Sequence, residues 1–180
     1  PNAKVVVEWT HTWYDPAKEK ATAEILIKKG CDILAQHQDT EEPVKVAQEH
    51  GKFALGYNIN MKEFAPKAYL TGPVWNWGTY YVEQIKKIMD GTWKSSSYWG
   101  NMKEGIVKLD DMTELVPENV KKKVKEYETK MIDGSLKFLA GPIRDNKGNV
   151  KVEAGKELSD KELLEINWLI EGVEGDINKF

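Results

Sequence analysis

The stretch DPAKEKATAEILIKKGCDILAQ, Asp15 to Gln36, decides the fold. Asp15 is placed to cap a helix, Pro16 suits its first turn, and Gly30 ends it. Ala21, Ile25 and Leu26 are expected on its inward face. The run CDILAQ that follows at once is short, apolar and β-prone, so a buried strand follows the helix. Working outward, the same alternation continues on both sides. KVVVEW (Lys4 to Trp9) reads as a strand before the helix, EPVKVAQEHG as a second helix stopped by Gly51, and KFALGY as a third strand. AYLTGPV reads as a fourth strand, NWGTYYVEQIKKIMDG as the helix after it, and GIVKL (Gly105 to Leu109) as a fifth strand. Strand and helix alternating at this spacing predict an α/β fold: a Rossmann-like parallel sheet flanked by helices, joined by right-handed crossovers.

Beyond the fifth strand, PENVKKKVKEYETKMIDG predicts a helix ending at Gly134. IRDNKGNVKV predicts a hairpin turning at Asn146-Lys147-Gly148. LSDKELLEINWLIEGVEG predicts a helix running to about Ile170, with Ser159 and Glu162 as its capping box. The chain thus divides into an α/β domain, 1–135, and a C-terminal hairpin and helix, 136–180.

Composition excludes several functions. Arg144 is the one arginine among 26 basic residues, and net charge is -3. Guanidinium forks read phosphates and base edges, so nucleic acid is not the expected partner. Lys121, Lys122, Lys123 and Lys125 alternate with Glu118, Glu126 and Glu128, as a solvated helix face does. The single Cys31 can form no internal disulfide, and its setting in GCDIL fits a packed thiol. No run of about 18 apolar residues suggests a spanning helix. The abrupt opening PNAKVVVEW reads as a fragment cut at a domain boundary, so the missing leader says little about location.

In a parallel α/β sheet, ligands bind beyond the carboxyl ends of the strands. Those ends carry Trp13 and Tyr14; His37, Gln38 and Asp39; Asn58 and Asn60; and Trp75, Asn76 and Trp77. Rings there either cover the sheet end or wall a cleft. Trp75 is the expected cleft wall and Trp77 the expected core residue. Asn58 and Asn60 either orient a ligand or accept left-handed turn geometry. His37 either couples to Asp39 or is a satisfied loop histidine. Nucleophile elbow, phosphate loop and zinc-protease motifs are all absent, and His11, His37, His50 and Cys31 are too scattered for a metal site. Rings with amides and no nucleophile fit a site that holds a planar polar molecule unchanged. The expected ligand-binding residues are Trp13, His37, Asn58, Asn60 and Trp75, with no catalytic residue, metal or cofactor.

WYDPAKEKATAEILIKKGCDILAQHQDT, GYNINMKEFAPKAYLTGPVWNWGTYYVEQIKKIMDGTW and INWLIEGVEG resemble the basic membrane protein family, purine-nucleoside receptors that feed ABC importers. The resemblance covers nearly the whole chain but only the second half of such a receptor. It implies one lobe of a type I periplasmic-binding-protein fold, with ligand clamped between two lobes, a membrane permease as partner, and an extracytoplasmic, lipid-anchored setting. It also implies that Trp13 stands where an aromatic stacks on the purine. Asn60 and Trp75 stand where other members use an aspartate and a lysine on the ribose hydroxyls. A free base such as adenine is therefore the expected ligand, ahead of a nucleoside. Alternatives are the ligand-sensing domain of a regulator with the same fold, and a nucleosidase using Asp15 or Asp39 with His37. Without the first lobe, the fragment is expected to dimerise or swap segments.

Overall fold

A computed structural model describes residues 4–137 and 139–173. They form two compact units: Glu8–Ile132, and a smaller one comprising the first residues and the chain from Asp133 onward.

The larger unit begins with α1, Pro16–Lys28, followed by β1, Ile33–Ala35. The Asp15 side chain accepts from Lys18 N at 3.0 Å, so the cap works as its residue type predicts. Next come α2 (Glu42–Glu49), β2 (Phe53–Leu55), β3 (Tyr69–Thr71) and β4 (Pro73–Trp75). Then follow α3 (Trp77–Met89), β5 (Val107–Leu109) and α4 (Glu118–Ile132). Strands β1, β2 and β3 pair in parallel, in that order. The fourth strand expected from AYLTGPV is interrupted at Gly72, giving β3 and β4, yet both run along the same neighbour: Leu55 pairs with Thr71 and Asn58 bridges Val74. The two backbones approach closely at this point. A Cβ on Gly72 would lie 2.6 Å from the Gly56 carbonyl oxygen.

The fifth strand forms where expected but antiparallel to β4. A simple crossover helix returns the chain to the start of the sheet. Here residues 90–106 after α3 bring it back to the β4 end instead. Asn76 fixes that return: its backbone N–H donates to Ile106 O at 2.7 Å and its side chain to Gly105 O at 3.1 Å.

The core lies between α1, α2 and the parallel sheet, with Ala23, Leu34, Val44, Val46, Ala47, Ala54, Met61 and Tyr69 all buried. Cys31 packs against it as a free thiol. The inward face of α1 is not the expected one. Glu19 and Ala23 are buried, with Leu26 and Ile27 partly so, while Ala21 and Ile25 face outward. Glu19 sets this rotation: its carboxylate accepts from Asp15 N at 2.9 Å and from Thr40 Oγ1 at 2.6 Å. A buried charge is tolerated only when so bonded.

KVVVEW forms no strand. Val5, Val6 and Val7 are exposed and pair with nothing among the described residues, while β1 pairs directly with β2. A β-branched run becomes a strand only where a neighbouring ladder accepts it.

The smaller unit holds the predicted hairpin, β6 (Ile143–Arg144) with β7 (Val150–Val152), and α5 (Asp160–Leu164). Ser159 and Glu162 form the capping box. The helix stops well short of Ile170 because the following backbone serves the hairpin: Asn146 N donates to Leu169 O at 2.8 Å and Glu171 N to Arg144 O at 3.0 Å.

Candidate ligand-binding site

Two loops of the larger unit are stitched together by three contacts. The loop entering α1 and the loop leaving β1 meet where Gln38 Nε2 donates to Thr10 Oγ1 at 3.0 Å, Asp39 N to Trp13 O at 2.9 Å, and Thr40 Oγ1 to Glu19. Thr10 and Thr40 are buried, so the seam is rigid beneath an exposed lip. Trp13 projects from that lip, 63% exposed. Indole burial is worth enough that so open a ring is not a core lid.

His37 stands between rings. Its centroid is 6.0 Å from Trp13 and 4.4 Å from Tyr57, edge-on to the latter. Asp39 does not serve His37 as an acid–base partner; its Oδ1 accepts from Asn58 Nδ2 at 2.7 Å. Asn58 Oδ1 in turn accepts from Trp75 Nε1 at 2.5 Å. Indole is a donor only, so this contact fixes the orientation of the Asn58 amide and aims its NH2 at Asp39. Asn58 also has a φ of 68°, the left-handed turn geometry that was one of the two alternatives open in the sequence. Four of the five expected site residues, Trp13, His37, Asn58 and Trp75, thus join one contact network. Asn60 does not join it: it is exposed and its Oδ1 accepts from Lys62 N at 2.8 Å, capping the next turn.

Trp77 is not the core residue expected. It is exposed and stacks on Trp75 at 5.9 Å, and Tyr81 stacks on Trp77 at 6.2 Å. A strand end and a helix start abut here, so rings two residues apart can share a side that a continuous helix would deny them. Tyr57 was missed from the sequence. Its phenol is pushed above the ordinary tyrosine range, first by burial and then by the negative charge of Asp39. The signal was its place in GYNIN, directly at the end of β2.

Asp15 serves as the helix cap. Among the described residues, no three His, Cys, Asp or Glu side chains gather as metal ligands. Among the described residues no helix is long and apolar enough to cross a membrane. A separate open groove of about 450 Å³ runs beside Asp111, Met112, Glu118 and the lysines 121, 122 and 125. Its mixed charges and lack of rings give it no means of gripping a planar solute.

Comparison with known proteins follows the same lines. Residues 1–136 match the family model described as Bmp, ABC transporter substrate-binding protein PnrA-like. The chain is 40% identical over 174 residues to a purine-binding protein of Brucella abortus, covering 97% of this chain and 49% of that protein. It is 32% identical over 178 residues to a Haloferax volcanii protein provisionally named an ABC transporter glucose-binding protein, covering 98% and 43%. The chain therefore spans about half the length of these relatives. A solved structure titled as a transcriptional activator of the comK gene from Bacillus halodurans shares the fold, with a TM-score of 0.64 at 21% identity over 71% of this chain and 46% of that one. By its sequence this chain belongs to the Bmp family of PnrA-like ABC transporter substrate-binding proteins.

Proposed function

We propose that the chain is the ligand-gripping lobe of an ABC importer's solute-binding component, and that it takes a flat nitrogen heterocycle of the purine class. One arrangement supports this reading: exposed Trp13 and His37 and half-buried Tyr57 beside the hydrogen-bonded series Trp75–Asn58–Asp39. Ring-on-ring stacking is worth roughly 1–3 kcal/mol for each base. Polar edges orient what the rings hold. The purine-binding relative from Brucella abortus points to the same class. Asn60 and Trp75 replace the carboxylate and ammonium that would hold ribose, which favours a free base over a nucleoside or a hexose.

In the whole receptor a second lobe faces this rim, and residues 136–180 form the hinge tail. Ligand bridges the lobes, and the closed form docks on the membrane permease outside the cytoplasm, where the receptor is lipid-anchored. This lobe offers one wall only. If half of a binding energy of about 8 kcal/mol is missing, affinity falls about a thousandfold, to millimolar.

Ligand-observed NMR of the 180-residue chain with adenine, adenosine and glucose tests the reading. Millimolar binding of adenine, stronger than that of either sugar-containing ligand, is expected. Binding of glucose without adenine would overturn it.

The isolated chain is also expected to pair with a second copy. Along α3, Trp77, Tyr81, Ile85, Ile88 and Met89 are all exposed, Met89 at 82%. Two such faces would cover about 1,000 Å², near the lower limit for a specific interface.

A further inference from the structure

We infer that Asp39 is the specificity-determining acceptor of the rim, selecting heterocycles that present N–H donors, such as an amino group, over those that present a carbonyl there. This rests on the purine-class reading above and adds a residue and a rule to it.

The series of hydrogen bonds has a direction. Trp75 gives its only polar hydrogen to Asn58, and Asn58 gives one amide hydrogen to Asp39 Oδ1. Donors run one way, and the series ends on an oxygen pair that can only accept. One hydrogen bond leaves most of a carboxylate's lone pairs unspent. No lysine or arginine pairs with Asp39 among the described residues. The carboxylate is exposed.

The backbone beneath it is fixed. Asp39 N–H is tied to Trp13 O at 2.9 Å, and its neighbours Gln38 and Thr40 are tied to Thr10 and Glu19. The residue that carries the stacking indole and the residue that carries the acceptor are therefore held in one register. A flat ring laid on Trp13 beside His37 meets that carboxylate with its polar edge. An exocyclic amino group gains a charge-assisted hydrogen bond there, whereas a carbonyl oxygen meets a like partial charge. Recognition through a buried-on-binding polar contact discriminates more sharply than ring shape, because the wrong ligand leaves the group unpaired. The Tyr57 phenol, raised first by burial, is raised further by the charge on Asp39.

Replacing Asp39 by Asn tests this directly. The variant keeps an oxygen for the Asn58 amide but turns the free acceptor into a donor. Adenine, with a 6-amino group beside an unprotonated N1, and hypoxanthine, with a 6-oxo group beside an N1–H, are titrated into the wild-type chain and into Asp39→Asn and Asp39→Glu, read by ligand-observed NMR, with near-ultraviolet circular dichroism confirming the fold. The wild type is expected to favour adenine. Asp39→Asn is expected to shift the ratio of the two affinities at least tenfold toward hypoxanthine, and Asp39→Glu to keep the adenine preference. Equal weakening of both ligands in Asp39→Asn, or an unchanged ratio, overturns the assignment while leaving the purine reading standing. Failure of the wild type to bind either base removes both together.

Discussion

Tyr69 and Gly72, three residues apart, hold the sheet end that carries the site. Tyr69 is buried and its hydroxyl donates to Asp110 Oδ2 at 2.9 Å. Burial first, and this carboxylate second, push its phenol far above the ordinary range. A folded-state value raised above the unfolded one means stability that is complete below the unfolded value, about pH 10, and falls as pH rises beyond it. Urea unfolding between pH 8 and 11 is expected to show that loss, at most about 1.4 kcal/mol per pH unit. Tyr69→Phe is expected to flatten the slope, at a cost of about 1 kcal/mol at neutral pH for the lost hydrogen bond. An unchanged slope in the variant would show that Tyr69 does not govern it. At Gly72 the obstacle is backbone, the Gly56 carbonyl. Gly72→Ala is therefore expected to destabilise by about 1–3 kcal/mol, since a peptide cannot swing aside as a side chain can. Coincident urea midpoints for variant and wild type would contradict that. Neither residue was legible as a keystone beforehand, because a close backbone approach leaves no mark on composition. Asp15 was legible: a cap depends only on residues three or four positions away.

Among the elements, those read from local signals formed where expected. α1, α2 and α3 end as their glycines predict: Gly30, Gly51 and Gly91 have φ of 88°, 62° and 72°. Cys31 N, Lys52 N and Thr92 N reach back to the carbonyls of Leu26, Ala47 and Lys87, closing each helix in a Schellman turn. What sequence could not supply was pairing. KVVVEW has strand composition but no ladder, and GIVKL joins β4 antiparallel because Asn76 captures the loop before it. Trp77 misled for the same reason: the pattern of α3 says that one face is apolar, not what covers it. That face gives a test at this scale. Ile85→Glu is expected to leave the fold and rim intact and to turn a concentration-dependent dimer into a monomer in light scattering. A wild-type chain that stays monomeric at high concentration would rule out the pairing.

For the molecule as a whole, the rim was the most legible part of the site, because strand ends in an α/β sheet are ordered by topology before any side chain is placed. His37, Asn58 and Trp75 follow from that rule, whereas Trp13 was reached through KVVVEW, which forms no strand, and the link from Asp39 to Asn58 needed coordinates, being a contact across 19 positions. Trp13→Ala is expected to weaken adenine binding about tenfold, within the roughly 1–3 kcal/mol of one stacked ring, without changing thermal stability. Equal affinity in the variant would take Trp13 out of the site. The central claim is that a planar base lies on this rim and nowhere else on the chain. An amide and indole ¹⁵N correlation spectrum, followed through an adenine titration, observes all seven tryptophans at once. With signals assigned through Trp13→Phe and Trp75→Phe, the indole resonances of Trp13 and Trp75 are expected to move together, while that of Trp168 stays in place. Shifts confined to Trp93, Trp99 or Trp168, or no shift at saturating adenine, would contradict it.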